Sequence, residues 1–217
     1  MEEDPASAES EYLAQFRRDI EAFLSAEAIE AVTIPERREL PRVDGIFYAA
    51  FTDPSGGSGD SFGLAIAHRD TNDRGILDCV REIPAPFNPS DAIAELARAL
   101  RDYGLREVTG DKYAGMFPTT LFAEHNITYV PSEKPKSDLY KEFLPLVNSQ
   151  RVELLDSPRL RAQLGSLERR TARGGRDSID HPQLPGARDD IANVVAGLSV
   201  AVAGAPDPLS IWRALGR

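Results

Sequence analysis

The chain has a single cysteine, Cys79, among its 217 residues, which excludes a disulfide framework and a cysteine-rich zinc site and suits a reducing compartment. It has no apolar run near the ~18 residues that a membrane span requires. Its acidic start, MEEDPASAESEY, excludes a secretory signal there. Positive charge is also scarce: 25 Lys+Arg stand against 35 Asp+Glu, a formal net charge of −10. A free-standing nucleic-acid binder ordinarily carries a basic face, so this balance argues against strong autonomous binding. Internal repeats and low-complexity tracts are absent. What is present is globular: 41% hydrophobic and 28% charged residues exclude wholesale disorder. A chain of this length suits one domain and buries roughly 70% of its unfolded surface, enough to fold without a disulfide or metal staple.

The apolar pattern then gives an order of elements. From Glu11 to about Ala26, the residues Tyr12, Phe16, Ile20, Phe23 and Leu24 fall at helical spacing, and Pro35 and Pro41 mark Pro35–Val43 as a linker. Ile46–Thr52, Phe62–His68 and Gly75–Ile83 read as three strands joined by the turn-rich PSGGSGD and DTNDRG, an antiparallel meander. Asn88-Pro89-Ser90-Asp91 supplies an N-cap, a first-position proline and a first-turn acid. Ile93, Leu96, Ala97, Leu100 and Tyr103 form the buried stripe of that helix, and Gly104 stops it. A fourth strand, Leu105–Thr109, runs into Gly110-Asp111. Beyond it the sequence predicts a helix around Pro118–His125, a short strand Ile127–Val130 and a helix from about Ser137 to Asn148. Gln150–Leu154 reads as a strand, Pro158–Arg169 as a helix and Arg170–Gln183 as a hairpin or loop. A last helix starts near Asp189, with Ile191, Val194, Val195, Leu198 and Val202 on one face. This is an α/β order: three antiparallel strands, then alternating helices and strands, in one mixed sheet flanked by helices on both faces. It resembles the order of ribonuclease-H-like nucleases.

The acids sit at telling places in that order. Asp53 directly follows the first strand and Asp111 directly follows the fourth, and in a ribonuclease-H-like sheet those two strands are neighbours. Asp189 and Asp190 open the last helix and can bring a further carboxylate to the same point. Carboxylates a few ångströms apart repel, and at least one holds its proton unless a cation relieves the repulsion. Oxygen-only ligands suit Mg²⁺ or Mn²⁺, and two such ions about 3.5–4 Å apart clamp a phosphodiester for in-line attack by water. Each acid also has a plainer reading. Asp53 before Pro54 suits a turn, Asp111 after glycine suits a turn or cap, and Asp189-Asp190 suits an N-cap and its helix dipole.

The segments FTDPSGGSGDSFGLAIAH, VTGDKYAG, SEKPKSDLYKEFLPLVNSQRVELLD, GGRDSIDHP and ARDDIANVVAG, in order over about Tyr48–Gly204, resemble the nuclease domain of a tailed-phage large terminase subunit. The resemblance implies a ribonuclease-H-like, two-metal-ion DNA endonuclease that cuts concatemeric phage DNA during genome packaging. By it, Asp53 and Asp111 match the first and second metal ligands, and the Asp189-Asp190 pair matches the helix-borne acids. Asp60, in GDSF, matches an acid that joins the metal shell in some relatives. Two divalent cations, Mg²⁺ or Mn²⁺, are the implied cofactors. Double-stranded DNA, the terminase ATPase domain, the portal and the small terminase subunit are the implied partners, with no membrane. The implied location is the host cytoplasm, transiently at the procapsid portal. Where relatives often have His before the Asp-Asp pair, this chain has Arg188, and the nearest histidine is His181 in IDHP.

Full-length large terminases carry an ATPase, yet this chain has no GxxxxGK(S/T) motif. GGSGDSFG lacks the phosphate-reaching lysine and reads as a turn beside the metal site. The expected division is therefore an N-terminal helix and linker (1–44) from a preceding ATPase domain, a nuclease domain (45–205) and a helical tail (206–217). Lys112 stands beside Asp111, Lys134 and Lys136 flank Pro135, and Arg169, Arg170, Arg173 and Arg176 cluster in the glycine-containing segment. Of these, Lys112, Lys134, Lys136, Arg170, Arg173 and Arg176 are the candidate DNA contacts, positioned to touch phosphates. Tyr113, Tyr140 and Trp212 read as packing or interface residues. Competing readings are another ribonuclease-H-like activity, such as junction resolution or RNA-strand cleavage, and a catalytically silent docking module of the packaging motor.

Overall fold

The computed structural model describes residues 20–111, 116–171 and 177–204. It opens with β1 (Ile20–Ala22), α1 (Ala26–Val32) and β2 (Thr33–Ile34). The sequence predicts continuous helix to about Ala26, so β1 is a correction. Its backbone pairs antiparallel with a strand some 150 residues away, Ile20 opposite Arg170 and Ala22 opposite Glu168. That pairing overrides the local helical spacing, while Phe23 and Leu24 still turn into the core. Ser25 then caps α1 by accepting from the Ala28 N–H. Part of the expected N-terminal helix and linker is thus built into the sheets.

The meander follows as expected: β3 (Tyr48–Asp53), β4 (Phe62–Arg69) and β5 (Gly75–Ile83), antiparallel in that order. Next come α2 (Pro89–Asp102), β6 (Glu107–Gly110), α3 (Phe117–Glu124), β7 (Thr128–Pro131), α4 (Lys136–Asn148) and β8 (Val152–Leu155). The chain continues through α5 (Pro158–Ser166), the hairpin strands β9 (Glu168–Thr171) and β10 (Asp177–Asp180), and α6 (Asp190–Ala203). Seven strands form one mixed sheet in the order β2-β8-β5-β4-β3-β6-β7, and β1-β9-β10 form a small second sheet. The start of β9 falls inside the segment expected as helix to Arg169. Helix α5 stops at Ser166 because Glu168 and Arg169 pair with β1 and β10.

Strand alternation sorts the core into two layers. Phe62, Leu64 and Ile66 face Ile93, Leu96 and Leu100 of α2, while Ala65 and Ala67 face α6 and α4. The α6 side is kept small by its residues. Gly197 approaches Phe51 so closely that a Cβ there would stand 2.7 Å from the ring, and a Cβ at Gly63 would meet the Asp190 carbonyl at 3.1 Å. Helix α6 therefore lies directly on β3 and β4, and its N-terminus overhangs the ends of those strands.

Candidate metal centre

Strand β6 lies parallel to β3, with Phe51 opposite Thr109 and Thr52 opposite Gly110. Asp53 and Asp111 are the next residues in that register, so the two acids leave the sheet side by side, as the sequence predicts. Gly110 makes room for Tyr129, whose hydroxyl would lie 2.5 Å from a Cβ at that position. The Tyr129 hydroxyl donates to the Asp111 carbonyl at 2.7 Å and fixes the chain where it departs from β6.

The N-terminus of α6 delivers the other acids. Asp189 occupies the N-cap position, but its side chain makes no cap hydrogen bond. Gln163, from α5, caps the helix in its place, with Oε1 accepting from the Ile191 and Ala192 N–H groups at 2.9 and 3.0 Å. The Asp189 carboxylate is thereby released from its own helix. It accepts from the buried Tyr140 hydroxyl at 2.8 Å and pairs with the Lys136 ammonium at 3.0 Å, and His181 Nδ1 lies 3.4 Å away. Asp190 points the other way and accepts from the Ser61 N–H at 3.1 Å. The sequence leaves open how this pair divides its roles, and the structure gives the two acids different partners: a lysine pairs with Asp189, and a backbone N–H meets Asp190.

Asp53, Asp111, Asp189 and Asp190 line one cavity of about 350 Å³, together with Asp60, Lys136, His181, Arg188 and Asn193. Burial pushes the Asp53 carboxyl up to about 7; a hydrogen bond from Asn193 opposes the rise, and the charges of Asp111, Asp190 and Asp189 add to it. Burial likewise raises Asp190, against the Ser61 hydrogen bond and with help from Asp60 and Asp189. For Lys136, burial works against the charge, but Asp189 and Asp180 outweigh it and raise its pKa.

Asp60 carries its own counter-ion, the Arg188 Nε at 2.9 Å. Arg188 also donates to the Gly59 carbonyl at 3.3 Å, and so pins the loop after β3 to the start of α6. Among the expected DNA contacts, the described cations all meet acids of the chain. Lys134 pairs with Glu142 at 2.6 Å, Lys136 with Asp180 at 2.7 Å, and Arg170 with Glu168 at 2.8 Å. Arg169 pairs with Asp177. Charge runs in a sequence do not reveal partners that arrive from other elements. Lys112, Arg173, Arg176, Tyr113 and Trp212 lie outside the described residues. Tyr140 is core, as its apolar context predicts, but its hydroxyl serves the site.

Two groups in the centre, Gln163 and Asn193, are not among the residues the sequence singles out. Asn193 Nδ2 donates to Asp53 Oδ2 at 2.7 Å. A signal existed for it: Asn193 is the one polar residue in the run IANVVAGL, four residues after Asp189. Asp180, His181 and Asp189 also bring ligand atoms within 4.8 Å of one another, but the Lys136 ammonium already sits against both acids.

No family model matches the chain, and no curated protein matches its sequence. Solved structures match its fold. The large terminase nuclease from thermophilic phage G20c superposes with a TM-score of 0.67 at 18% identity, over 80% of this chain and 95% of that one. The same nuclease with bound magnesium gives 0.66 at 16% identity, over 82% and 96%. The HK97 bacteriophage large terminase gives 0.66 at 16% identity over 85% of this chain, which spans 44% of that longer protein. At these identities the likeness establishes architecture: the chain has the ribonuclease-H-like fold of phage large terminase nuclease domains.

Proposed function

We propose that this chain is a divalent-metal-dependent DNA endonuclease that cuts concatemeric phage DNA during genome packaging. The observation that carries the reading is the meeting of Asp53, Asp111 and Asp190 at one cavity, at the ends of neighbouring strands and the start of a helix. The similar fold has been crystallised in the G20c nuclease with bound magnesium and with bound cobalt. The residues fit such an ion. Their donors are carboxylate oxygens, which suit Mg²⁺ or Mn²⁺. Burial raises Asp53 and Asp190, the neighbouring carboxylates add to the rise, and a bound cation would offset the cost of charging them.

Asp53, Asp111 and Asp190 would hold the first ion, and Asp53 with Asp189 or Asp60 a second, giving the two-ion form of the reaction. When bound, such ions lower the pKa of a water and neutralise charge on the phosphate. The chain's own groups do the rest. Tyr140 and Lys136 hold Asp189, Ser61 orients Asp190, and Arg188 keeps the loop bearing Asp60 against the site. Surface pairs such as Lys134–Glu142 contribute about 0–1 kcal/mol, so their cations exchange readily to a DNA phosphate. Products would carry 5′-phosphate and 3′-hydroxyl ends.

In this reading residues 45–205 are the body of the nuclease, 1–44 lead into it from an ATPase domain and add β1, α1 and β2 to it, and 206–217 are a tail. The ATPase domain, portal and small terminase subunit are its partners, in the host cytoplasm and at the procapsid portal. Among the described residues, no helix is long and apolar enough to cross a membrane. The test is supercoiled plasmid incubated with Mn²⁺ or with chelator. Nicking and linearisation are expected with Mn²⁺ only, and both should be lost in Asp53→Asn and Asp111→Asn. Cleavage retained by both variants, or an inert wild type, would overturn the reading. Preference for a four-way junction or an RNA/DNA hybrid over plasmid would redirect it to another ribonuclease-H-like activity.

A further inference from the structure

Asn193 is 2% exposed and lies on the most apolar helix of the chain, between Ala192 and Val194, which are both fully buried. A leucine or valine there would continue the core. Instead the position holds an amide of which only half is satisfied. Its Nδ2 donates to Asp53 Oδ2 at 2.7 Å, while its Oδ1 is buried and has no hydrogen-bond partner. An unsatisfied buried carbonyl costs stability, and a fold keeps such a group where something other than stability requires it. The side chain also lines the cavity that holds the carboxylates.

The contact to Asp53 shows what the amide does. Among the described residues, Asn193 is the hydrogen-bond donor to this carboxylate. A carboxylate on a single Cβ rotates about its last bond unless one oxygen is held. With Oδ2 fixed by Nδ2, the plane of the Asp53 carboxylate is set, and Oδ1 is left for a ligand. The helix that carries Asp190 therefore also sets the angle of an acid on the sheet, and Gly197, one turn further on, lets that helix approach β3 closely enough to do so. Other carboxylates of the cavity are oriented in the same way, Asp190 by the Ser61 N–H and Asp189 by the Tyr140 hydroxyl.

We propose that Asn193 is a positioning residue for divalent-cation binding, fixing the Asp53 carboxylate so that its second oxygen meets the ion. This rests on the reading of Asp53 as a metal ligand. Partners that orient a ligand typically change metal affinity 10–100-fold when removed. Asn193 carries no charge, but its hydrogen bond holds the Asp53 pKa down, so the titration is run at a pH well above about 7, where the carboxylate is ionised with or without the amide and weaker binding reports geometry.

The experiment is Mn²⁺ titration of the full 217-residue chain without DNA, by calorimetry, with melting in chelator as a second readout. Wild type should bind Mn²⁺. Asn193→Leu should bind it roughly 10–100-fold more weakly while still melting in a single cooperative step in chelator, which shows that the fold is intact. Asn193→Ala, which adds no bulk, should also weaken binding, and it decides the matter if the leucine variant does not fold. Unchanged Mn²⁺ affinity in a folded variant would overturn the proposal and leave the metal site standing. A wild type that binds no Mn²⁺ would instead overturn the reading of Asp53 on which it rests.

Discussion

At the scale of single residues, the centre is set by how each carboxylate is compensated. Asp189 has a tyrosine and a lysine, Asp60 has an arginine, and Asp53 has one neutral amide. Buried, and with only that amide opposing the rise, Asp53 holds its proton up to about 7. This has a consequence for the metal-free protein. The folded chain binds that proton more tightly than the unfolded chain does, since an ordinary Asp titrates at about 3.9. The stabilisation from protonated Asp53 is complete below about pH 4 and is lost as pH rises through about 7. Asp53→Asn has no such loss. In chelator, its melting temperature relative to wild type should therefore climb between pH 5 and 8, and melting curves across that range check it. A difference independent of pH would mean that Asp53 is an ordinary turn residue. Added Mn²⁺ should raise the wild-type midpoint, by about 1.4 kcal/mol or a few degrees at ten times Kd, and the variant should gain less.

At the scale of elements, the site depends on helices that touch no substrate. Helix α5 supplies Gln163, whose one oxygen serves two N–H groups at the start of α6. Gln163→Leu keeps the bulk and removes the acceptor, leaving those buried donors unpaired at a cost of about 1–3 kcal/mol. A chain of this size should then melt roughly 2–12 °C lower, at 2–4 °C per kcal/mol, by calorimetry. An unchanged midpoint would show that Asp189 caps its helix after all. These contacts also mark the limit of what the sequence reveals. Asp53 and Asp111 are legible because strands announce their ends through alternation and turn residues, and the strand order makes those ends neighbours. The helix cap at Asn88 is legible because it is local, and its side chain does accept from Ser90. Strand β1 is not: Ile20–Ala22 has helical neighbours and becomes a strand only by meeting β9. Gln163 is hidden for the same reason, since its partners are some 30 positions away in sequence.

At the scale of the whole molecule, a net charge of −10 sits with a centre proposed to take a polyanion. The described cations around the site are paired internally, so phosphate contacts must be exchanged for ion pairs rather than added to a free basic face. The isolated chain should bind duplex DNA weakly and without sequence preference. Its affinity should fall with salt at a log–log slope no steeper than about −3, corresponding to about three phosphate contacts. Divalent ions should strengthen binding by neutralising the cavity. Titrations by fluorescence anisotropy over a salt series would decide this, and nanomolar, salt-insensitive binding in chelator would contradict it. In the proposed reading, such an acidic nuclease would depend on other parts of a packaging machine for DNA affinity and would cut only when DNA is presented to it.

The central claim is that a divalent ion binds where β3, β6 and α6 meet. Anomalous diffraction from crystals soaked in Mn²⁺ tests it most directly, because the peaks locate the ions without reference to activity. The account predicts a peak in contact with the carboxylates of Asp53, Asp111 and Asp190, weakened in Asn193→Leu crystals. A peak held instead by Asp180, His181 and Asp189, with Lys136 displaced and nothing at Asp53, would contradict it.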